Sequence, residues 1–174
     1  MGIVVFKPPD IDKRLLKEYS DRPSVFLSGS IEQGKAENWQ SKLIKELSSK
    51  GVSAVIFNPR RDDWDASWEQ DINFFKFREQ VEWELTFIER ADIVCVYFAP
   101  DTKSPITLLE LGLLSQLKPR QTIVYCPKGY WRKGNVDIVC RRYGITQVND
   151  WAALLNELII RLLRLKWTDF NKWR

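Results

Sequence analysis

The most informative absence in this 174-residue chain is histidine, of which there is none. Without histidine there is no Ser-His-Asp triad, no Cys-His pair and no zinc site built on imidazole. Any acid–base or nucleophilic chemistry must therefore fall to carboxylates, Tyr, Lys, Cys or Ser.

Cysteines and long apolar runs are also scarce. Cys95, Cys126 and Cys140 have no C-x-x-C spacing, and two of them lie in apolar, strand-like stretches. This pattern predicts reduced core residues in a cytoplasmic protein rather than disulfides or a metal site. No stretch approaches the roughly 18 apolar residues of a membrane span, and the first residues lack the pattern of a signal peptide. We expect a soluble protein with no membrane partner.

Positively charged residues exceed negatively charged ones only slightly. The chain has 27 Lys and Arg residues against 23 Asp and Glu residues, for a net charge of +4. An excess this small does not predict binding to nucleic acid. The surplus collects near the end of the chain, in RLLRLKWTDFNKWR, which is typical of a solvated amphipathic helix and tail.

Short apolar runs alternate with stretches of helical periodicity. Strands are predicted at Ser24–Leu27, Val52–Phe57, Asp92–Phe98, Thr122–Cys126 and Ile145–Val148. This alternation predicts an α/β domain over residues 23–165, with a mostly parallel five-stranded sheet between two layers of helices. Residues 1–22 are expected to form an N-terminal arm, and residues 166–174 a C-terminal tail.

The unusual loops of the chain are expected at one edge of this sheet. In a parallel sheet, ligands bind at the carboxyl ends of the strands, where the strand order reverses. Four loops meet there, at residues 28–33, 58–68, 99–104 and 127–135. The first begins with Ser28, Gly29 and Ser30, small residues that let a ligand approach the backbone. An ordinary strand–helix turn has the same residues, and the segment is neither G-x-G-x-x-G nor a Walker loop.

Two glutamates lie in unusually apolar surroundings. Glu110 stands in SPITLLELGLL, a helix with no good polar face, and Glu84 stands in QVEWELTFIERAD. The ordinary alternative for Glu110 is a surface ion pair with Lys118 or Arg120. If the two carboxyl groups meet in one pocket, one can stay ionised while the other holds a proton. The sequence alone leaves open whether they meet.

Tryptophan and arginine are concentrated in the second and fourth of these loops. The tryptophans either stack on a nucleobase or close the core. The arginines either bind phosphate or are surface charges. The residues concerned are Trp64, Trp68, Trp131, Arg60, Arg61 and Arg132.

Four segments together resemble the nucleoside 2-deoxyribosyltransferase-like family. They are FLSGSI, NPRR, Q-x-x-W-E before A-D-I-V, and S-P-I-T-L-L-E-L-G, and the resemblance extends from about Ser24 to Ile160. It implies a flavodoxin-like fold and a homodimer or larger homo-oligomer with shared active sites. It also implies a glutamate that attacks the anomeric carbon, releases the base and forms a glycosyl–enzyme ester. A second nucleobase or water then resolves the ester.

The resemblance assigns roles to particular residues. Glu110 matches the nucleophile, and Glu84 matches an Asp that handles the proton of the leaving base. Asn135 matches an Asn that the neighbouring subunit contributes to the site. Phe26 replaces a Tyr that touches the nucleophile. Ser104 replaces an Asp that binds the sugar 5′-hydroxyl, at a position where related hydrolases of deoxynucleoside 5′-monophosphates have a phosphate-binding Ser.

The resemblance therefore implies cleavage of the N-glycosidic bond of a nucleoside or nucleotide and transfer of the sugar to a free nucleobase. Carboxylates are ionised at neutral pH and stabilise an oxocarbenium-like transition state, so the chemistry requires no metal or cofactor. Besides Glu110 and Glu84, the expected substrate-binding residues are Ser28, Gly29, Ser30, Asn58, Arg60, Trp64, Ser104 and Asn135.

Two alternatives remain open. Ser104 and the arginine pair Arg60 and Arg61 suggest a hydrolase of (deoxy)nucleoside 5′-monophosphates. The missing hydroxyl at Phe26 slightly favours a nucleotide-sensing module that binds without turnover. A sensor has no need of a nucleophile, however, and this argues for the enzyme.

Overall fold

The computed structural model of the chain describes residues 2–9, 13–31, 36–61, 63–65 and 67–171. Strands and helices alternate along this part of the chain, as the sequence predicts. The elements are β1 (Ile3–Phe6), α1 (Lys13–Glu18), β2 (Ser24–Gly29), α2 (Trp39–Ser49), β3 (Ala54–Phe57), α3 (Phe75–Arg90), β4 (Ile93–Tyr97), α4 (Pro105–Leu117), β5 (Thr122–Tyr125), α5 (Lys133–Tyr143), β6 (Thr146–Val148) and α6 (Trp151–Asn171).

The strands form one parallel sheet in the order β1-β3-β2-β4-β5-β6. Without β1, this is the doubly wound order of flavodoxin. The predicted α/β, flavodoxin-like three-layer sandwich is confirmed. The chain reverses direction across the sheet between β2 and β4, so a crevice is expected at the carboxyl ends of these two strands.

The prediction of five strands is wrong by one, because Ile3–Phe6 forms β1 within the segment expected to be an arm. This strand pairs with β3 from Ile3 opposite Ala54 to Phe6 opposite Phe57. A four-residue apolar run followed by prolines gives only a weak local signal, and the strand is stabilised by a partner some fifty residues away. At the other end, α6 continues to Asn171, into the expected tail.

The two faces of the sheet bury separate cores, because successive side chains of a strand point to opposite faces. The face toward α3, α4 and α5 buries Phe26, Val94, Val124, Trp83, Leu111 and Val136. The face toward α2 and α6 buries Val25, Leu27, Cys95, Leu43 and Leu158. Because helices cover both faces of the sheet, the strands are continuously apolar in sequence. Within the described residues, no helix is long and apolar enough to cross a bilayer.

The end of β2 is closely packed on the α2 side. A Cβ atom at Gly29 would lie 2.6 Å from the carbonyl oxygen of Tyr97 and 2.8 Å from Cζ2 of Trp39. Trp39 stacks on Tyr97 with ring centroids 4.6 Å apart, and its Nε1 donates to the carbonyl oxygen of Ser30 at 3.1 Å. Packing alone therefore accounts for glycine at position 29.

Candidate active site

Glu110 lies on the second turn of α4, against the carboxyl end of β2, where the strand order predicts a crevice. It is only 8 % exposed. The hydroxyl of Ser28, on β2, donates to its Oε2 at 2.5 Å. Among the described residues, Oε1 of Glu110 has no hydrogen-bond partner and is not one of the enclosed polar atoms. One oxygen of this carboxylate is therefore anchored, and the other has no partner among the described residues.

The surface ion pair considered for Glu110 is not formed. Lys118 donates its Nζ instead to the carbonyl oxygen of Ala91 at 2.5 Å. α4 is apolar around most of its circumference, so the helix has no polar face on which a surface glutamate would sit. The carboxylate is directed inward toward β2.

Glu84 is the second carboxylate of the site. It lies on α3, is half-buried, and accepts a hydrogen bond at Oε1 from Nε2 of Gln80 at 2.7 Å. Burial raises the pKa of Glu84, the negative charge of Glu110 raises it further, and the hydrogen bond from Gln80 lowers it. Burial also raises the pKa of Glu110, against the lowering effect of the Ser28 hydroxyl. The two carboxyl groups thus lie close enough to titrate as a pair.

Three hydroxyl side chains form a cluster between the end of β2 and the start of α4. Oγ of Ser30 lies 2.8 Å from Oγ1 of Thr102 and 2.5 Å from Oγ of Ser104, and the last two atoms are 2.7 Å apart. All three residues are buried. Ser104 has a left-handed backbone conformation, with φ of 45°. Its hydroxyl bonds to that of Ser30, the residue that follows β2, and makes no capping bond to α4. The cluster therefore sets small neutral hydroxyls at the N-terminus of α4.

The family model described as "Nucleoside 2-deoxyribosyltransferase like" matches residues 22–130, which is well over half of the chain. The chain belongs to the nucleoside 2-deoxyribosyltransferase-like family. No curated protein matches it significantly. The matched segment contains both glutamates and the hydroxyl cluster, whereas Asn135 lies beyond it. The family name indicates an enzyme that transfers glycosyl groups.

In this family member, hydrogen bonds hold the loop after β5 against the loop after β4. Tyr130 and Trp131 both donate to the carbonyl oxygen of Lys103, at 2.8 Å and 3.1 Å. The ring of Tyr130 packs on Phe98 with centroids 4.7 Å apart. Trp131 remains 52 % exposed, with the guanidinium of Arg132 lying 4.2 Å from its ring centroid. These contacts fix the position of Ser104, the residue that follows Lys103.

Asn58 and Arg60 stabilise the loop after β3. The buried Asn58 accepts a hydrogen bond at Oδ1 from the backbone N–H of Arg60 at 3.1 Å. The guanidinium of Arg60 donates to the carbonyl oxygens of Ala36 and Glu37 at 3.2 to 3.4 Å. Asn58 therefore orders the loop after β3 from within, and Arg60 joins this loop to the segment that precedes α2.

Trp64 and Trp68 pack on one another in this same loop, with ring centroids 5.1 Å apart. The buried Arg61 lies over Trp68, 5.0 Å from its centroid. Arg61 also donates to Asp63 at 2.9 and 3.0 Å and lies 3.6 Å from Glu79. This arrangement favours the structural interpretation of Arg61 and Trp68 over phosphate binding and base stacking. Trp64 remains half-buried at the surface of the cluster.

Asn135 is exposed on the first turn of α5 and has no hydrogen bond to the other candidate residues in the described part of the chain. The neighbouring surface of α4 is apolar. Its exposed stripe, spaced along one face of the helix, consists of Ile106, Leu109, Leu113 and Leu117, which are 38 to 62 % exposed. Large contiguous apolar surfaces of this kind mark interaction sites.

Sequence reasoning assigned no role to two residues that contact the site, Gln80 and Thr102. Gln80 appears in the Q-x-x-W-E segment, and its spacing of four residues from Glu84 places both on the same side of α3. That spacing was the available signal. Thr102 enters the hydroxyl cluster through the turn in which its Oγ1 donates to the carbonyl oxygen of Ala99 at 2.9 Å. Nothing in the sequence indicates that turn.

Proposed function

We propose that the protein cleaves the N-glycosidic bond of (deoxy)nucleosides and transfers the sugar to another nucleobase through a covalent glycosyl–Glu110 ester. The observation that carries this proposal is the pair of interacting carboxyl groups in the crevice, one anchored by Ser28 and the other by Gln80. Such a pair supplies a nucleophile and an acid within one site.

Glu110 is the nucleophile. Its negative charge raises the pKa of Glu84, so Glu110 ionises first and Glu84 keeps the shared proton. Oε1 of Glu110 attacks the anomeric carbon, and the C1′–N bond breaks as the C1′–O bond forms. The electron pair of the broken bond passes to the departing base. The anionic carboxylate stabilises the positive charge that develops on the sugar.

Glu84 is the acid and then the base. It gives its proton to the leaving nucleobase, which would otherwise depart as an anion. In the second half-reaction, a nitrogen of the incoming nucleobase attacks C1′, Glu84 removes the proton from that nitrogen, and the ester bond to Glu110 breaks. Both carboxyl groups return to their starting states, so the cycle needs no other reactant.

Ser28 supplies the hydroxyl that Phe26 lacks. The resemblance places a nucleophile-contacting Tyr at position 26, but Phe26 is fully buried and its ring lies 6.2 Å from that of Trp83. Ser28 is two residues further along the same strand, so its side chain points to the same face. Its bond to Oε2 of Glu110 orients the carboxylate and limits the rise in its pKa.

Hydrolysis of 5′-monophosphates is the second candidate function. Ser104 favours it, because a neutral hydroxyl cluster at the N-terminus of α4 does not repel a phosphate as an Asp would. The guanidinium of Arg60, however, is engaged with backbone carbonyl oxygens. We therefore keep transfer between nucleosides as the leading function, with the hydroxyl cluster binding the 5′ end of the sugar.

The active unit in this proposal is a homodimer or larger homo-oligomer with shared sites. In a single chain, Asn135 is exposed and unconnected to the carboxylate pair, although the resemblance gives it a place beside the sugar. The exposed apolar stripe of α4 offers a surface on which a second copy of the chain would bury Ile106, Leu109, Leu113 and Leu117. The three unpaired, buried cysteines agree with a cytoplasmic setting.

The test is incubation with a panel of deoxynucleosides and 5′-monophosphates, with and without a second free base, followed by chromatography of the products. We expect base exchange that requires the free base. Release of base and sugar phosphate from monophosphates alone would favour the hydrolase. Binding without any product would favour the sensor. Glu84→Gln should lose this base exchange because it lacks the proposed acid. Glu89→Gln, at an exposed position of the same helix, α3, is the matched control and should retain it.

A further inference from the structure

Gln80 is buried on α3, one helical turn before Glu84, and uses both N–H groups of its amide. Nε2 donates to the carbonyl oxygen of Pro59 at 2.9 Å and to Oε1 of Glu84 at 2.7 Å. The side chain is only 5 % exposed. Gln80 therefore links the loop after β3 to the carboxyl group that we propose as the acid.

The amide of Gln80 has one workable orientation. The carbonyl oxygen of Pro59 can only accept a hydrogen bond, so it requires an N–H group opposite it. A reversed amide would set the oxygen of Gln80 against both Pro59 and Glu84. In the observed orientation, Oε1 of Gln80 is enclosed without a partner among the described residues, which is an unfavourable state for a buried acceptor. The fold thus leaves an acceptor unpaired and directs both N–H groups.

The loop that presents Pro59 is itself held in place. Asn58 and Arg60 flank it, and Oδ1 of Asn58 accepts the backbone N–H of Arg60 at 3.1 Å. The NPRR segment therefore has a structural purpose that the sequence does not reveal. It fixes the carbonyl group against which Gln80 is oriented.

We infer that Gln80 is a positioning residue that holds Glu84 so that the acidic proton of its carboxyl group lies on Oε2. A protonated carboxyl group carries one O–H, and the oxygen that accepts from Gln80 is Oε1. Oε2 has no partner among the described residues and is not among the enclosed polar atoms. The proton is therefore held on the accessible oxygen. This inference rests on the proposed role of Glu84 as the acid.

The electrostatic consequence has a definite sign. Among the described residues, the one charged group that shifts the pKa of Glu84 is Glu110 on α4, and Gln80 opposes that shift by stabilising the ionised form. Removal of the Gln80 amide must raise the pKa of Glu84. Glu82 lies two residues from Glu84 on the same helix and is exposed, so Glu82→Gln changes the charge of α3 without touching this hydrogen bond.

The experiment is a ¹³C NMR titration of the glutamate carboxyl groups in the full-length protein, with the Glu84 signal assigned by its loss in Glu84→Gln. In Gln80→Met, which keeps the shape but not the donor, we expect the Glu84 midpoint to rise by about one pH unit. In Glu82→Gln it should stay where it is in the wild type. If the midpoint does not move in folded Gln80→Met, or moves equally in Glu82→Gln, the inference is wrong. Gln80→Leu repeats the test if Gln80→Met does not fold.

Turnover provides the second measurement. Gln80→Met should lower kcat on deoxynucleosides about tenfold or more and leave KM within about twofold, because a misplaced proton affects bond cleavage rather than binding. A shifted midpoint with unchanged kcat would contradict the positioning role. If the wild type turns over no nucleoside, the proposed function fails, and the titration still decides whether Gln80 controls the carboxyl group of Glu84.

Discussion

The two faces of the sheet each hold a glutamate, but the two carboxylates differ in burial and in hydrogen bonding. On the α2 and α6 side, both carboxylate oxygens of Glu46 lie within hydrogen-bond distance of Nε1 of Trp151, at 3.0 and 3.1 Å. On the α3 and α4 side, Glu110 is more deeply buried, yet one of its oxygens is held and the other is open. The two oxygens of Glu46 share one N–H donor, whereas Oε1 of Glu110 has no partner among the described residues and burial raises the pKa of Glu110. This contrast agrees with the proposal that Glu46 serves the fold and Glu110 the chemistry.

The end of β2 separates these two environments within consecutive residues. Ser28 faces the carboxylates, and Gly29 faces an aromatic stack in which Tyr97 lies between Trp39 and Tyr125, at centroid distances of 4.6 and 4.7 Å. Since strand side chains alternate between faces, one short segment contributes both to a closely packed aromatic surface and to the proposed active site. Rigid packing behind the strand fixes the Ser28 hydroxyl, and a fixed hydroxyl is what orients Glu110.

Removing the carboxylate of Glu110 and that of Glu46 should affect activity very differently, and this is the largest difference that we expect between the two faces. We expect Glu110→Ala to lower kcat for glycosidic cleavage at least about a thousandfold, roughly 4 kcal/mol of barrier, with the fold intact. Glu46→Gln should retain activity within about tenfold and lose some thermal stability. Steady-state kinetics and thermal unfolding of both variants measure the contrast. Near-wild-type activity in folded Glu110→Ala would remove it from the nucleophile's role.

Mixing two inactive variants tests whether the crevice is completed by a second chain. Asn135→Ala and Glu110→Ala are each expected to be inactive or nearly so. After exchange of subunits, mixed oligomers contain some sites with both residues intact, so activity should partly return. Sedimentation gives the size of the active species. A fully active monomer contradicts shared sites. A mixture that remains inactive although its subunits exchange contradicts them as well.

Loss of the Ser28 hydroxyl should have a smaller effect with a recognisable pH signature. Ser28→Ala is expected to lower kcat/KM at pH 7 about tenfold to a hundredfold. The hydrogen bond from Ser28 lowers the pKa of Glu110, so its removal raises that pKa and less of the nucleophile is ionised at neutral pH. The acid limb of the pH–rate profile should therefore move to higher pH. Ser41→Ala, at an exposed position of α2, is the control whose profile should not move.

The sequence predicts the layers of the fold better than the contacts of the site. Alternating apolar runs gave the order of strands and helices from β2 onward, because those runs are local. The bond between Ser28 and Glu110 joins residues 82 positions apart, and only the strand order brings them together. β1 was missed for the same reason, since its stability comes from distant β3. The four-residue spacing between Gln80 and Glu84 indicates locally that the two side chains share one side of α3. The orientation of the Gln80 amide, however, depends on its hydrogen bond to distant Pro59.

The smallest expected effect concerns the 5′ end of the substrate. The hydroxyl cluster of Ser30, Thr102 and Ser104 carries no charge, so in the proposed function it can accept a hydrogen bond from a 5′-hydroxyl or donate one to a phosphate. We expect kcat/KM for matched deoxynucleosides and monophosphates to differ by less than about a hundredfold, roughly 2.7 kcal/mol. Ser104→Asp should disfavour the monophosphate by charge repulsion, whereas Ser104→Ala should weaken both substrates alike. A strong preference of the wild type for monophosphates that collapses in Ser104→Asp would instead identify a hydrolase, because the cluster would then be serving as a phosphate site.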